Sequence, residues 1–202
     1  QVVIAQVIRM YGDNKLSAGS IAGAGNYLLG VNELTVGSNN LSTAASGVIS
    51  GTGSGDDTLN LTKQGSGTQT LSGANSYTGL TNIHAGTLVA ANNSALGAGG
   101  HNGNTMTFIH DGATLAMQGG ISLDEHFHLW GAGVSGLGAV RSISGNNTLS
   151  NSPGGGPGFA LRSNTTVGVD ADTLTVSGFY DNDGGGFGIT KVGAGTLTLK
   201  AA

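Results

Sequence analysis

Along most of the chain, apolar and polar residues alternate over runs of only four or five positions, and each run ends in a cluster of Gly, Asn, Asp or Ser. The clearest runs are ELTV (33–36), TLNL (58–61), TLVA (87–90), TLAM (114–117), TLTV (173–176) and TLTL (196–199). A period of two places Leu on one face of a strand and Thr on the other, while the glycines between runs supply the positive φ angles of sharp corners. One such strand buries too little surface to offset the entropy of ordering it, so strands this short hold only when stacked. The gaps between motif leucines are unequal, the step from Leu115 to Leu149 being nearly three times that from Leu59 to Leu71. That spread predicts coils with loops of variable length. Antiparallel hairpins compete, but they favour two-residue turns and even strand spacing. The pattern therefore predicts an all-β chain, a right-handed parallel β-helix (β-solenoid) over residues 1–202. It would have about ten irregular rungs of about 20 residues, each rising ~4.8 Å.

A longer recurrence supports this. Residues 61–73, LTKQGSGTQTLSG, return 128 positions later as 189–201, ITKVGAGTLTLKA. Thr62, Lys63, Gly65, Gly67, Thr68, Thr70 and Leu71 match Thr190, Lys191, Gly193, Gly195, Thr196, Thr198 and Leu199. What repeats is a folding unit rather than a set of reactive groups, so Lys63 and Lys191 read as structural or solvated.

Composition narrows the partners. Thirty-nine glycines, 9% charged and 5% aromatic residues do not suit a core of large side chains. A net charge of -4, with seven Lys and Arg placed singly, offers no basic stripe for nucleic acid. Without cysteine there is no disulfide framework, thiolate site or cysteine nucleophile. No run approaches the ~18 apolar residues of a membrane span, and no secretory signal opens the chain, so any export signal is expected to have been removed or never included. The longest β-branched apolar run is QVVIAQVIRM at residues 1–10. Its Val2, Val3, Ile4, Val7 and Ile8 offer both faces for burial, and the run would aggregate if left exposed. Two readings stay open for residues 1–12: a first rung or cap of its own molecule, or a strand donated to the end of another copy. In the second case head-to-tail fibres would form against the far end, at Leu197 and Leu199.

The run GTQTLSGANSYTGLTNIHAGTLVAANNSALG (67–97) contains a strand at Thr70–Gly73, an N-x-Y-T-G corner at Asn75–Gly79, a T-x-I strand at Thr81–Ile83 and an A-G-T-L-x-V strand at Ala85–Val89. It resembles the passenger-associated repeat of bacterial autotransporters. Residues 139–151, 165–178 and 186–199 are similar to the sequence that precedes the next repeat in that family. The likeness spans roughly 59–199, with one repeat at 59–100 and the start of a second at 186–202 that stops at Lys200 before its corner. The resemblance implies an exported β-helical stalk, extracellular or at the bacterial cell surface, serving adhesion, aggregation or passage through the outer membrane. Its expected partners are copies of itself or a cell-surface or matrix ligand. The ten-residue alternating strands of a membrane translocator are absent, so the chain reads as an excised piece or as a short protein built from passenger-like coils. An adhesin passenger fragment binding a host or glycan surface is the alternative, and a polysaccharide-degrading β-helix enzyme a third reading.

Candidate chemistry is sparse. In SLDEHFHLW (122–130), alternation sends Leu123, Phe127 and Leu129 inward with Glu125 near them, and Asp124, His126, His128 and Trp130 outward. Asp124, His126 and His128 have donor types that suit zinc or copper, against the plainer reading of a solvated outer face. His84, His101 and His110 lie singly near corners and read as loop residues. Gly53, Gly55, Asp57 and Leu59 fit part of a calcium-coil motif that has no tandem copy. Asp170 with Asp172, and Asp181 with Asp183, are oxygen donors in turns. There is no G-x-S-x-G, H-E-x-x-H or Walker loop, so no catalytic residue, cofactor or enzymatic activity is expected. The pairs TQT (68–70), TMT (105–107), TLT (173–175) and TLT (196–198) would form a hydroxyl ladder only if their rungs were consecutive, which their spacing argues against.

Overall fold

The computed structural model describes residues 2–3, 8–9, 15–51, 61–98, 106–150, 159–181 and 185–200. Within them the chain winds as a three-sided parallel β-helix, with one 3₁₀ turn at Val134–Gly136. The first side is a seven-stranded sheet: Thr43–Ala45, Thr68–Leu71, Gly86–Ala90, Ala113–Gln118, Val140–Ser144, Thr165–Val169 and Ile189–Val192. Below it, Val2–Val3 pairs with Ile21–Ala22, and a Gly23–Ala45 bridge joins that pair to the sheet. The second side has eight strands: Lys15–Ala18, Glu33–Val36, Leu61–Lys63, Thr81–Ile83, Met106–Ile109, His126–Leu129, Phe159–Leu161 and Phe179–Asp181. The third side is split. Ile8–Arg9, Tyr27–Leu28 and Ile49–Ser50 form its lower part, and Ser122–Asp124, Asn147–Ser150, Thr173–Ser177 and Thr196–Lys200 its upper part. Between them the ladder continues without strands, through Ser76 N–H to Ile49 O and Ala98 N–H to Tyr77 O.

Counted up the first side, the described residues make nine coils, one fewer than the sequence expectation, and at ~4.8 Å per step the rod is about 40 Å long. Coil length is unequal, as the leucine spacing predicted. On the second side Leu16 stacks on Leu34 after a short coil, whereas the coil that carries Phe127 round to Phe159 is much longer. Part of the surplus, the stretch at 130–139 with its 3₁₀ turn, lies at a corner between the second and first sides, and the strands stay in register.

The core is a set of columns running along the axis. On the second side one column runs Leu16, Leu34, Leu61, Thr81, Thr107, Phe127, Phe159, and the next Ala18, Val36, Lys63, Ile83, Ile109, Leu129, Leu161. Nearly all of these residues are buried. Each sealed aliphatic or aromatic side chain contributes about 1.5 to 3 kcal/mol. The Leu motif is not tied to one side: Leu34 sits on the second, Leu88 and Leu115 on the first, and Leu174 and Leu197 on the third. The thirteen-residue repeat behaves in the same way. Its first copy turns from the second side to the first, and its second copy from the first to the third. It is a strand–corner–strand module that fits more than one vertex.

The N-terminal strands belong to the molecule's own first coil. Val2–Val3 pairs with Ile21–Ala22, and Ile8–Arg9 with Tyr27–Leu28, which is the first-rung alternative for this segment. Ile4 and Val7 lie outside the described residues. At the other end, Leu197 stacks on Leu174 and Leu199 on Val176. With no described coil above it, Leu199 is 52% exposed.

Candidate functional site

The repeat's distinctive residues are spent on joining coils. Lys63 points inward and is fully buried, and its ammonium donates to the carbonyls of Gln64 (2.9 Å), Gly65 (2.8 Å) and Ala85 (3.0 Å). Burial pushes its pKa down to about 8. Asn75, also buried, accepts from Ile49 N–H in the coil below (2.8 Å) and donates to Ala95 O in the coil above (2.7 Å). Tyr77 fills the core, its hydroxyl 2.8 Å from Thr81 Oγ1. Gln69, inward and 1% exposed, bonds the backbone of Ile21 two coils below and the Thr43 hydroxyl. These polar groups complete the ladder where corners interrupt it, as buried polar groups must.

Thr81 and Thr107 continue a buried polar line to Glu125, whose Oε2 accepts from Thr107 Oγ1 at 2.6 Å. Glu125 is 4% exposed, and burial pushes its carboxyl up to about 8, with the Thr107 bond opposing and Asp124 adding to the shift. Burial also raises the Tyr77 hydroxyl, with Glu125 adding to it. Alternation in the sequence sent Glu125 inward. It could not reveal that the residue is a corner.

That corner separates the proposed metal donors. Asp124 ends a third-side strand, whereas His126 and His128 lie on the second side. Among the described residues no three His, Asp or Glu side chains come together as a metal site. Asp170 is engaged by Arg141, with Nε 3.0 to 3.1 Å from its carboxylate oxygens and a 2.7 Å ion-pair contact from Nη2. Asp172 accepts from Gly145 N–H at 2.7 Å. Gly53, Gly55, Asp57, Leu59, His101, Asp183 and the Asp181 side chain lie outside what is described.

His84 and His110 are not isolated loop residues. They follow the stacked Ile83 and Ile109, just as Trp130 follows Leu129 and Arg162 follows Leu161, so four consecutive coils carry them in one outer column. The His84 and His110 rings stack at 4.2 Å, and His110 stacks on Trp130 at 5.5 Å with the planes 6° apart. Beside them Phe108 and His128 pack at 4.6 Å, and His128 Nδ1 accepts from Arg162 Nε at 3.1 Å. His126 lies 4.7 Å from His128. Four of the five histidines and the single tryptophan thus share one outer face. Burial, then the neighbouring His84, holds His110 below the usual imidazole range. The unequal stretches from His84 to His110 and from His110 to Trp130 hid this column in the sequence, because which positions share a face depends on the length of each coil.

The third side carries hydroxyls. Ser122, Thr148, Thr175 and Thr198 stand in register on successive coils, as do Thr173 and Thr196. Two of the Thr pairs are therefore aligned, contrary to the spacing argument. The other two are not part of the row: Thr68 is on the first side, Thr107 faces the core, and Thr105 is outside the described residues.

Among the described residues no helix is long and apolar enough to cross a membrane. No curated protein and no solved structure gives a significant match to the chain. The family model of the passenger-associated-transport-repeat matches residues 61–90 and 189–202, the stretches that hold Lys63, Tyr77 and Lys191, and so these two segments of the parallel β-helix are similar to the repeat of autotransporter passengers.

Proposed function

We propose that this chain is an exported structural rod, extracellular or at the bacterial cell surface, that works by rigidity and end-to-end association rather than by catalysis. One observation carries the reading. The repeat's characteristic side chains Lys63, Asn75, Tyr77 and Thr81 are all turned to bonding within and between coils, so the most distinctive residues of the chain hold the stack together. The last coil supports the second half of the proposal. Leu197 and Leu199 top their columns, and the strands at Ile189–Val192 and Thr196–Lys200 end their sheets, each with one edge facing no described strand. A further coil, from a longer chain or from the Val2–Val3 end of a second copy, would bury those leucines and extend the ladder.

Imaging the full chain over a rising concentration series tests this. Axial polymers are expected, and replacing Leu197 and Leu199 together by Asp should abolish them while leaving the β-sheet circular dichroism intact. A chain that stays monomeric throughout, or a double variant that polymerises at the wild-type concentration, overturns end-to-end association.

A further inference from the structure

We infer that the ring column on the second side is a binding surface for a linear acidic polysaccharide lying along the rod axis. The proposal stands apart from end-to-end association, since it concerns the flank of coils four to seven.

Its first support is geometric. His84, His110, Trp130 and Arg162 occupy one position on four consecutive coils. A chain running along the axis therefore meets a ring edge or a guanidinium at each ~4.8 Å step. The near-parallel stacking of His84, His110 and Trp130 turns their faces to one another and their edges sideways. Stacked rings cost little further entropy to hold in place, as a preorganised surface should. A polymer of polar rings with a short repeat can use such a row several times over, and weak contacts add through multivalency.

The second support is composition. The described outer face of the third side is mainly Ser and Thr, whereas this one has Trp130, Phe108 and Arg162, residue types enriched at binding hot spots. Trp130 and Phe108 are only half-buried, and His84 is exposed. The edges of Trp130 and Phe108 carry the positive end of the ring quadrupole and so suit carboxylate and hydroxyl oxygens.

Charge selects an acidic polymer. On a chain of net charge -4, this flank holds the Arg162 guanidinium and the exposed His84 imidazole, with Asp111 at the corner beside His110. Guanidinium and imidazole N–H groups are strong donors to carboxylate. A uronate chain supplies carboxylates at regular intervals, and a neutral glycan does not.

The single tryptophan lies in the column, so its emission reports the surface directly. Polygalacturonate titrated into the full chain should shift Trp130 fluorescence saturably, and neutral galactan should not. Raising salt from about 50 to about 500 mM should weaken the apparent Kd at least about threefold. Arg162→Ala should weaken it at least about fivefold, and Phe108→Ala and the exposed His84→Ala about threefold each. Thr175→Ala on the third side should leave it unchanged. Arg162→Lys, which keeps the charge, covers the case in which loss of the His128 contact unfolds Arg162→Ala, and it should retain more affinity than His84→Ala. No saturable shift, an equal response to galactan, or wild-type affinity in Arg162→Ala and His84→Ala would overturn the proposal.

Discussion

The two copies of the thirteen-residue repeat turn different vertices and differ in whether a described coil lies above them, and the second difference shows what the repeat is for. In both, the lysine donates to the carbonyl of the glycine two residues on: Lys63 to Gly65 at 2.8 Å, and Lys191 to Gly193 at 2.5 Å. Both glycines have positive φ, 71° and 87°. The corner therefore forms alike at two different vertices. Above it the copies diverge. Lys63 gains Ala85 O from the next coil and is fully buried, whereas Lys191 has no described coil over it and is exposed. The lysine is a cap that becomes an interior group only once it is covered. Its long apolar stem is well suited to that change, since it packs in a column while the ammonium reaches a corner.

Removing the covered cap should have the largest effect. Lys63→Ala strips three carbonyls of a donor and opens a cavity in the column between Val36 and Ile83, and is expected to cost about 3 to 5 kcal/mol in urea unfolding. A loss below about 1 kcal/mol would mean that water replaces the ammonium and that the covered copy is no different from the open one.

The underside of the two corners should respond equally. A Cβ on Gly65 would sit 2.0 Å from Gly37 O, and one on Gly193 2.2 Å from Val169 O, in each case the backbone of the coil below. Together with positive φ, this predicts a cost of about 2 to 3 kcal/mol for both Gly65→Ala and Gly193→Ala. A large cost at Gly65 with none at Gly193 would show that the end coil is frayed from beneath as well as open above.

A pH series sharpens the contrast between sealed and open coils, because sealing ionisable groups leaves a titration signature. Glu125 is pushed up to about 8. Between about pH 4.3 and 8 the folded chain therefore holds a proton that the unfolded chain has released, and stability falls as pH rises, by up to about 1.4 kcal/mol per unit. Lys63 is pushed down to about 8, so between about pH 8 and 10.4 the unfolded chain binds the extra proton and stability rises with pH. Their combined contribution has its minimum near pH 8. Glu125→Gln should flatten the acidic limb and be more stable than wild type near pH 8. Parallel stability curves for the variant and wild type between pH 4.5 and 8 would place the carboxyl in contact with water.

Much of this fold was legible because strand alternation and corner glycines are local signals. ELTV, TLVA and TLTV each placed Leu inward, and stacking followed from their brevity. The flank chemistry was not legible, because which residues share a face depends on coil lengths, and these differ widely between the Leu16–Leu34 and Phe127–Phe159 steps. His84, His110 and Trp130 become neighbours only once the register of the strands that carry them is known. Asp124 shows the reverse error: two positions from His126 on what reads as a continuous strand, it lies on another side because Glu125 turns the chain. The Lys63 and Lys191 pair was readable as equivalent in sequence, but not as unequal in burial, since burial belongs to the neighbouring coils.

The smallest effect is the one on which the comparison turns. Lys191 keeps one carbonyl partner and stands in solvent, so Lys191→Ala is expected to fall within about 0.5 kcal/mol of wild type in dilute solution, where exposed substitutions usually lie. If a second copy or a further coil covers this end, the same substitution should become costly, because an ammonium that completes a covered corner is then missing. Measured at concentrations where axial polymers form, Lys191→Ala should raise the polymerisation threshold while leaving the dilute unfolding midpoint unmoved. A variant that shifted the dilute midpoint as far as Lys63→Ala does would show that Lys191 is already sealed, and the distinction between the two copies would fail.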